Sequence, residues 1–288
     1  MRATPTETGG LLLVDKPAGI TSHDVVAAVR RATKVRRVGH AGTLDPFATG
    51  LLVVLVGRGT RLIPFIDGEP KVYDATIRFG EETDTDDLTG TSVRIAGTPD
   101  EHSVIEALPA LTGEITQVPP SYSAKQVGGT RAYAAARVGA PIALAPVSVR
   151  VDEWKMFGWE GRDLRVRITC GGGTYIRALA RDLGRLTESA AHLAALRRVA
   201  AGPFAVEHAT SLDDVQSGAF ALRPLQDAIP SLPQLRLDDI ELARIVHGNP
   251  IANRASASRV ALLDADELIA VADDRAGVLQ PRLVLRDA

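Results

Sequence analysis

The order of apolar and polar positions along the chain predicts several strands. Residues 11–15 (LLLVD) and 51–56 (LLVVLV) are continuous aliphatic runs of the length expected for buried strands. Residues 72–79 (VYDATIRF) alternate between apolar and polar side chains, as a strand with one buried face does. Residues 165–169 (RVRIT) predict a further strand, which runs into three glycines.

Other segments carry the pattern of helices. Thr21 and Ser22 are N-cap candidates for a helix whose apolar Val25, Val26 and Val29 share one face. Helices are also predicted over residues 101–111, 175–186 and 190–198.

The first of these helices ends in a cluster of basic residues. Basic side chains in a last turn suit the helix dipole, and they equally suit contacts to phosphate groups. The pattern alone leaves both explanations open for Arg30, Arg31, Lys34, Arg36 and Arg37.

Three prolines between residues 224 and 233 indicate a boundary between a main domain and a small C-terminal one. Beyond it, residues 238–246 predict one helix, and the segments VALLD, LIAVA and RLVLR predict short strands. The tail is therefore expected to be a compact, β-rich module.

Composition bounds the protein class. The 288 residues are 45% hydrophobic and 24% charged, close to globular averages, which excludes wholesale disorder. The length is that of one large domain or two unequal ones. A net charge of −2 excludes a histone-like polycation but leaves room for a local basic face that binds nucleic acid.

Several common sites are absent from the sequence pattern. Cys170 is the single cysteine and no histidine pair has helical ligand spacing, so a disulfide and a zinc site are not expected. Residues 81–90 (EETDTDDLTG) imitate a calcium loop, but with Asp84 as the first ligand the sixth position is Thr89 instead of glycine. Neither a Walker loop nor a Rossmann fingerprint is present. The polar N-terminal segment lacks the pattern of a signal peptide, and we expect a cytoplasmic protein.

The densest group of unusual residues is the glycine-rich loop 39–50 (GHAGTLDPFATG). An aspartate before proline is often a turn former, and Asp45 fits that ordinary role. Alternatively, Asp45 is a rigidly held carboxylate at a strand edge, poised as nucleophile or base. Composition and spacing do not separate these two interpretations.

The same loop closely resembles the catalytic-aspartate motif of the TruB family of pseudouridine synthases. Further blocks resemble that family in the same order along the chain: LLLVDKPAGITSHDVV, KVYDATIRFGEETDTDDLTG, VPPSYSAKQVGGTRAYAAAR, CGGGTYIRALARDLG and HLAALRRVAAGPF. Together the blocks cover most of the chain, which makes the resemblance highly specific.

The resemblance implies a mixed α/β (α+β) fold, with a pseudouridine synthase domain over residues 1–230 built on a largely antiparallel central sheet. A thumb-like insertion that grips tRNA would span about residues 119–150, and a PUA-like RNA-binding domain would span residues 231–288. The implied activity isomerises uridine 55 in the T-loop of tRNA, with no metal or cofactor. A monomer is expected because no long exposed apolar helix is evident.

The resemblance also assigns residue roles. Asp45 matches the catalytic aspartate, which attacks either the ribose C1′ or the uracil C6; that choice stays open. Arg177 matches the arginine that pairs with this aspartate, and a guanidinium beside a carboxylate favours its ionised form. Without the family context, Arg177 would be read as an ordinary surface residue of a helix.

Four further positions match substrate-binding residues. Tyr73 matches the tyrosine that stacks on the flipped base and handles the C5 proton, while Tyr175 and Leu196 match residues that line the base pocket. His40 matches a histidine that enters the RNA fold and helps expose the target base. From pattern alone, Tyr73 and Leu196 would be core residues, and Leu196 would lie in a helix.

Basic residues scattered over several segments are expected to hold the RNA backbone, because stems are recognised through backbone and shape. The RNA-backbone candidates are Lys16, Arg30, Arg31, Arg36, Arg37, Lys125, Arg131, Arg197 and Arg198. For any one of them, a solvated surface position is an equally good explanation.

Two alternatives to a stand-alone tRNA isomerase remain. One is a guide-RNA-dependent pseudouridine synthase acting inside a ribonucleoprotein, against which the short tail and the complete thumb-like block argue. The other is a non-catalytic tRNA-folding chaperone that uses the same cleft.

Overall fold

The computed structural model describes residues 9–122, 126–127, 130–131 and 144–286, with the backbone alone at 126–127 and 130–131. The α-helices are α1 (Ser22–Thr33), α2 (Glu101–Ala107), α3 (Ile176–Leu186), α4 (Leu212–Ser217) and α5 (Asp239–Val246). Strands before residue 120 are β1 (Gly9–Lys16), β2 (Val38–Ala41), β3 (Thr49–Gly57), β4 (Lys71–Phe79), β5 (Glu81–Thr83), β6 (Ser92–Ile95) and β7 (Gly113–Gln117). Next come β8 (Gln126–Val127), β9 (Thr130–Arg131), β10 (Val147–Glu160), β11 (Asp163–Cys170), β12 (Ala191–Ala201), β13 (Phe204–Ala205) and β14 (Thr210–Ser211). The last strands are β15 (Gln234–Arg236), β16 (Ile251–Ala252), β17 (Arg259–Asp264), β18 (Glu267–Arg275) and β19 (Val278–Val284).

The described chain packs into two compact units. The first contains the described parts of Met1–Pro46, Leu51–Gly68 and Pro203–Ala288, and the second contains Phe47–Gly50 and the described parts of Glu69–Gly202. The chain passes from one unit to the other after Pro46, Gly50, Gly68 and Gly202.

In the first unit, helix α1 covers the two aliphatic strands β1 and β3. Strand β1 lies between β14 and β3, and β2 pairs antiparallel with β3. The predicted helix face of Val25, Val26 and Val29 packs into one core with β1 and β3 side chains such as Leu12 and Val54. Thr21 is the N-cap, and its hydroxyl accepts a hydrogen bond from the Asp24 amide at 3.1 Å.

The C-terminal residues of the first unit form a five-stranded sheet in the order β15-β17-β18-β19-β16. Its core contains Val260, Leu262 and Ile269, and Ile245 of helix α5 packs against them. The β-rich C-terminal module is therefore confirmed, while the boundary near residue 230 stays a prediction.

In the second unit the strand order is β12-β4-β11-β10-β7, and every pairing along this path is antiparallel. Thr49 and Gly50, the first residues of β3, lie parallel beside Arg197 and Arg198 of β12. Helix α3 is buried around most of its circumference, including Ala178, Leu179 and Leu183. The fold is mixed α/β with largely antiparallel pairing, which confirms the expected class.

The predicted helix over residues 190–198 is wrong, because Ala191–Ala201 is strand β12. Ala and Leu are good helix formers, but here the segment hydrogen-bonds to β4 on one side and to Thr49–Gly50 on the other. Pairing on both sides outweighs an intrinsic preference of a few tenths of a kcal/mol per residue.

The predicted thumb-like insertion is described only in part. Residues 123–125, 128–129 and 132–143 lie outside the described residues, and β8 pairs antiparallel with β9. Its extent stays a prediction.

Candidate active site

Asp45 lies in the connection between strands β2 and β3 and is half-buried. Gly42 opens this connection with φ +86°, a conformation that side chains other than glycine adopt with strain. Leu44, directly before Asp45, is buried. The loop therefore places a carboxylate beside a buried anchor residue.

The backbone on both sides of Asp45 is fastened to the segment that begins helix α1. The buried hydroxyl of Ser22 accepts a hydrogen bond from the Leu44 amide at 2.9 Å and donates one to the Leu44 carbonyl at 3.2 Å. On the other side, the Pro46 carbonyl accepts from the Gly19 amide at 2.8 Å. These contacts hold the peptides that flank Asp45 and so restrict where its carboxylate can go.

Lys16 completes this arrangement from inside the protein. It is fully buried, and its ammonium donates to the carbonyls of Pro17 at 2.9 Å, Ile20 at 2.7 Å and Pro46 at 3.2 Å. Burial lowers the pKa of Lys16 to about 8, while the carboxylates of Asp45 and Asp24 oppose that change. An ammonium that uses its three donors on backbone carbonyls acts within the fold.

His40 lies on strand β2, where it pairs with Val54 of β3, and is half-buried. Its ring meets the ring of exposed His23 edge-on, with centroids 6.0 Å apart. Both histidines belong to the first unit, as does Asp45.

Tyr73 and Leu196 lie on neighbouring strands in the second unit. Tyr73 of β4 is directly opposite Arg198 of β12, and Leu196 is opposite Ala75. Because opposed residues share a face and side chains alternate along each strand, Tyr73 and Leu196 project from the same face of the sheet. The structure therefore brings these two predicted base-pocket residues together.

Tyr175 is the N-cap of helix α3 and is half-buried. The buried side chain of Gln117 holds its peptide unit: Gln117 Oε1 accepts from the Tyr175 amide at 2.9 Å, and Nε2 donates to the Tyr175 carbonyl at 3.1 Å. This bidentate contact fixes the entry into the helix that carries Arg177.

Arg177 is buried, so it is not the exposed helix residue that the sequence pattern alone would suggest. Its guanidinium donates to the carbonyls of Thr85 at 3.1 Å and Tyr122 at 2.9 Å. It also lies 3.5 Å from the buried carboxylate of Asp87, which accepts from the Thr89 amide at 2.9 Å. The predicted contact between Arg177 and Asp45 stays a prediction.

The predicted RNA-backbone residues fall into different environments. Arg30, Arg31, Arg36 and Arg37 are exposed, and Arg197 is half-buried. Lys16 and Arg198 are buried, so the proposed RNA surface leaves them out. Lys125 lies outside the described residues, and for Arg131 the structure describes the backbone alone.

Sequence reasoning missed the supporting roles of Gln117 and Asp87, and it singled out Ser22 only as an N-cap candidate. A hydroxyl, an amide and a carboxylate with no helical or strand periodicity give no signal of their long-range partners. Ser22 and Asp87 did carry a cue, since each lies in a block that resembles the family.

Two findings concern metal binding and membrane spans. Across the described ranges, no group of three or more His, Cys, Asp or Glu side chains is arranged to hold a metal ion. In the same part of the chain, no helix is long and apolar enough to cross a membrane.

Comparison with known proteins identifies the family. Residues 30–176 match the model of the N-terminal domain of TruB family pseudouridylate synthases, and residues 177–235 match the tRNA pseudouridylate synthase B C-terminal domain. The chain belongs to the TruB family of pseudouridylate synthases. Members of this family are isomerases that act on RNA.

Relatives in the TruB family resemble the chain over nearly its whole length. It is 46% identical to the tRNA pseudouridine synthase B of Thermobifida fusca over 287 residues, which is 96% of this chain and 98% of the relative. It is 41% identical to the protein of the same name from Mycobacteroides abscessus, covering 99% of this chain and 98% of the relative.

Solved structures agree on the fold. The chain superposes on one chain of a Cbf5-Nop10-Gar1 complex with a TM-score of 0.73 at 25% identity, covering 96% of this chain and 85% of that chain. The archaeal box H/ACA sRNP Nop10-Cbf5 complex gives a TM-score of 0.71 at 24% identity, with 96% and 86% coverage.

Proposed function

We propose that the chain is a tRNA pseudouridine-55 synthase, which isomerises the uridine at position 55 of the T-loop. The observation that carries this proposal is the likeness, over nearly full length, to relatives named tRNA pseudouridine synthase B. A family member of matching length and high identity is expected to share the substrate class.

Asp45 is the proposed nucleophile. In the reaction the bond between uracil N1 and ribose C1′ breaks, a bond between uracil C5 and C1′ forms, and the C5 proton moves to N1 through the site or solvent. Substrate and product are isomers, so no oxidant or co-reactant is needed. Attack at C1′ or at C6 both require an ionised carboxylate at a fixed position. The hydrogen bonds that hold Leu44 and Pro46 support that role for Asp45.

The shared face of Tyr73 and Leu196 supports a base pocket in which the flipped uracil is stacked on the tyrosine. Tyr175, whose peptide is fixed by Gln117, is proposed to line the same pocket. Tyr73 is also proposed to handle the C5 proton late in the reaction. Arg177 is proposed to orient the carboxylate of Asp45.

The T stem-loop of tRNA is the proposed partner, held by exposed arginines at and beyond the end of helix α1. His40 is proposed to enter the RNA and help expose the target base. We also propose a monomer that acts in the cytoplasm and requires no metal, cofactor or protein partner.

The guide-RNA-dependent alternative keeps one supporting observation, because a solved structure with the same fold comes from an archaeal box H/ACA sRNP Nop10-Cbf5 complex. The higher identity to the tRNA pseudouridine synthase B relatives favours the stand-alone enzyme.

The test is pseudouridine mapping, by carbodiimide treatment and primer extension, on an unmodified tRNA transcript. The wild type is compared with Asp45→Asn and with Asp67→Asn, a matched change at an exposed aspartate of the same unit. We expect a stop at position 55 for the wild type and Asp67→Asn, and none for Asp45→Asn.

Other results have definite meanings. A stop with all three proteins would remove Asp45 from the role of nucleophile. No stop with the wild type on tRNA alone, but a stop when a guide RNA is added, would favour the ribonucleoprotein alternative. Tight tRNA binding without modification under either condition would favour the chaperone.

A further inference from the structure

Helix α3 carries a second buried arginine, one turn after Arg177. Arg181 donates to the Asp86 carboxylate at 2.8 Å and to the Val118 carbonyl at 2.9 Å, and its Nε donates to Asp182 at 2.9 Å. Arg181 and Asp86 are both buried. An ion pair at this depth is maintained only if the geometry compensates for the removal of both charges from water.

Arg177 and Arg181 bind the same two segments. Arg177 contacts the Thr85 carbonyl, Asp87 and the Tyr122 carbonyl, while Arg181 contacts Asp86 and the Val118 carbonyl. Residues four apart lie on one face of a helix, so the two guanidinium groups bridge the turn 85–87 and the segment 118–122 at neighbouring points. The distance between these segments at one guanidinium therefore depends on the contacts of the other.

The turn 85–87 is itself tightly constrained. Asp86 has φ +60°, a strained conformation for a residue other than glycine. The Asp86 carbonyl accepts from the Leu193 amide at 3.0 Å, which ties the turn to strand β12 three residues before Leu196. A strained residue persists where its surroundings hold it, and the Arg181 ion pair is part of that hold.

We propose that Arg181 is a positioning residue for Arg177: through Asp86 and the Val118 carbonyl it fixes the two segments that orient the Arg177 guanidinium. This inference rests on the proposed function, in which Arg177 serves the isomerisation. Arg181 itself has no contact with substrate in this scheme and acts through its neighbour.

Because Asp86 titrates, its contact with Arg181 depends on pH, which a contact between groups that do not titrate would not. Burial raises the pKa of Asp86 to about 6, with Arg181, then Arg177 and Arg185, opposing the rise and Glu82 adding to it. The other carboxylates of this region are Asp87, on the same turn, and Asp182, on the helix. Below about pH 6 Asp86 is neutral, so its ion-pair attraction to Arg181 is lost and only a hydrogen bond with the charged guanidinium remains.

The experiment measures single-turnover rates of pseudouridine formation at position 55 and tRNA dissociation constants for Arg181→Met, Arg181→Lys and Asp86→Asn. Arg185→Met is the matched control, because Arg185 lies one turn further along the same helix and pairs with Glu82 instead. Thermal unfolding of every variant shows whether its fold is retained.

For Arg181→Met we expect a rate reduced about tenfold or more with nearly unchanged tRNA affinity, since small displacements of a reacting group cost up to roughly a hundredfold. Arg181→Lys is expected to recover part of the rate. The wild-type rate is expected to fall as the pH drops through about 6, and Asp86→Asn is expected to lack that step and to stay near the acid-side level.

A folded Arg181→Met that loses no more rate than Arg185→Met would overturn the proposal. If Arg181→Met does not fold, Asp86→Asn decides: an unchanged acid limb refutes the proposal, and its disappearance supports it. A wild type without activity on tRNA would instead remove the proposed function on which the inference rests.

Discussion

The ammonium of Lys16 donates a 3.2 Å hydrogen bond to the carbonyl of Pro46, the residue that directly follows Asp45. A fully buried lysine at the end of strand β1 thus fastens the loop that carries the proposed nucleophile. The same ammonium holds the turn that leads into helix α1, through the carbonyls of Pro17 and Ile20. One ammonium group therefore fixes the position of the loop relative to the turn.

Replacing Lys16 by methionine is expected to slow isomerisation and to lower stability. The change keeps most of the side-chain volume but removes the donor of the Pro17 and Ile20 carbonyls, while Pro46 keeps its bond from the Gly19 amide. Each lost hydrogen bond is expected to cost about 0.5–1.5 kcal/mol. Urea unfolding and single-turnover rates measure both effects. Lys155→Met, at an exposed lysine, is the control. Wild-type values for Lys16→Met would show that the ammonium does not hold the loop.

The pKa of Lys16 predicts how stability depends on pH. The pKa is about 8 in the folded protein and 10.5 for an unperturbed lysine, so between these values the unfolded chain binds more protons at this group. Stability contributed by this group therefore rises with pH across that window. The free energy of unfolding of the wild type should increase relative to Lys16→Met between pH 8 and 10.5. Parallel pH curves for the two proteins would contradict the assignment.

Arg177→Lys is expected to abolish most activity although the charge is kept. A lysine ammonium cannot reproduce the planar fork that reaches the Thr85 and Tyr122 carbonyls beside Asp87. We expect a rate loss of about 100-fold or more, the size seen when one preorganised donor is removed. The single-turnover rate and the tRNA affinity are both measured for this variant. A lysine variant with near-normal rate would show that charge alone suffices.

Gly50→Ala is expected to destabilise the second unit strongly. Gly50 has φ +100°, and an added Cβ would lie 2.2 Å from the Arg198 carbonyl oxygen, where strands β3 and β12 meet. Backbone strain and overpacking together are expected to cost about 3 kcal/mol or more. Gly97→Ala is the control, because a Cβ there meets nothing within 4 Å. Equal melting temperatures for the two variants would refute the close-approach argument.

Much of the architecture follows from local patterns. The aliphatic runs became β1 and β3, the alternating run became β4, and the apolar face of Val25, Val26 and Val29 became the buried side of helix α1. These predictions succeeded because the periodicity of a segment reports which of its faces is removed from water. The ordered blocks around Asp45 also predicted the family, and the comparisons confirm it.

Tertiary structure alone decided the rest. The Ala- and Leu-rich segment after residue 190 is a strand because partners on both sides supply its hydrogen bonds, and those partners are distant in sequence. Lys16 is buried because three carbonyls surround it. Arg177 and Arg181 are buried because the turn 85–87 and the segment 118–122 present carboxylates and carbonyls to them. Sequence by itself determined the elements and the family. Only the folded chain decided which charged side chains are buried, because their burial depends on partners that long-range packing brings together.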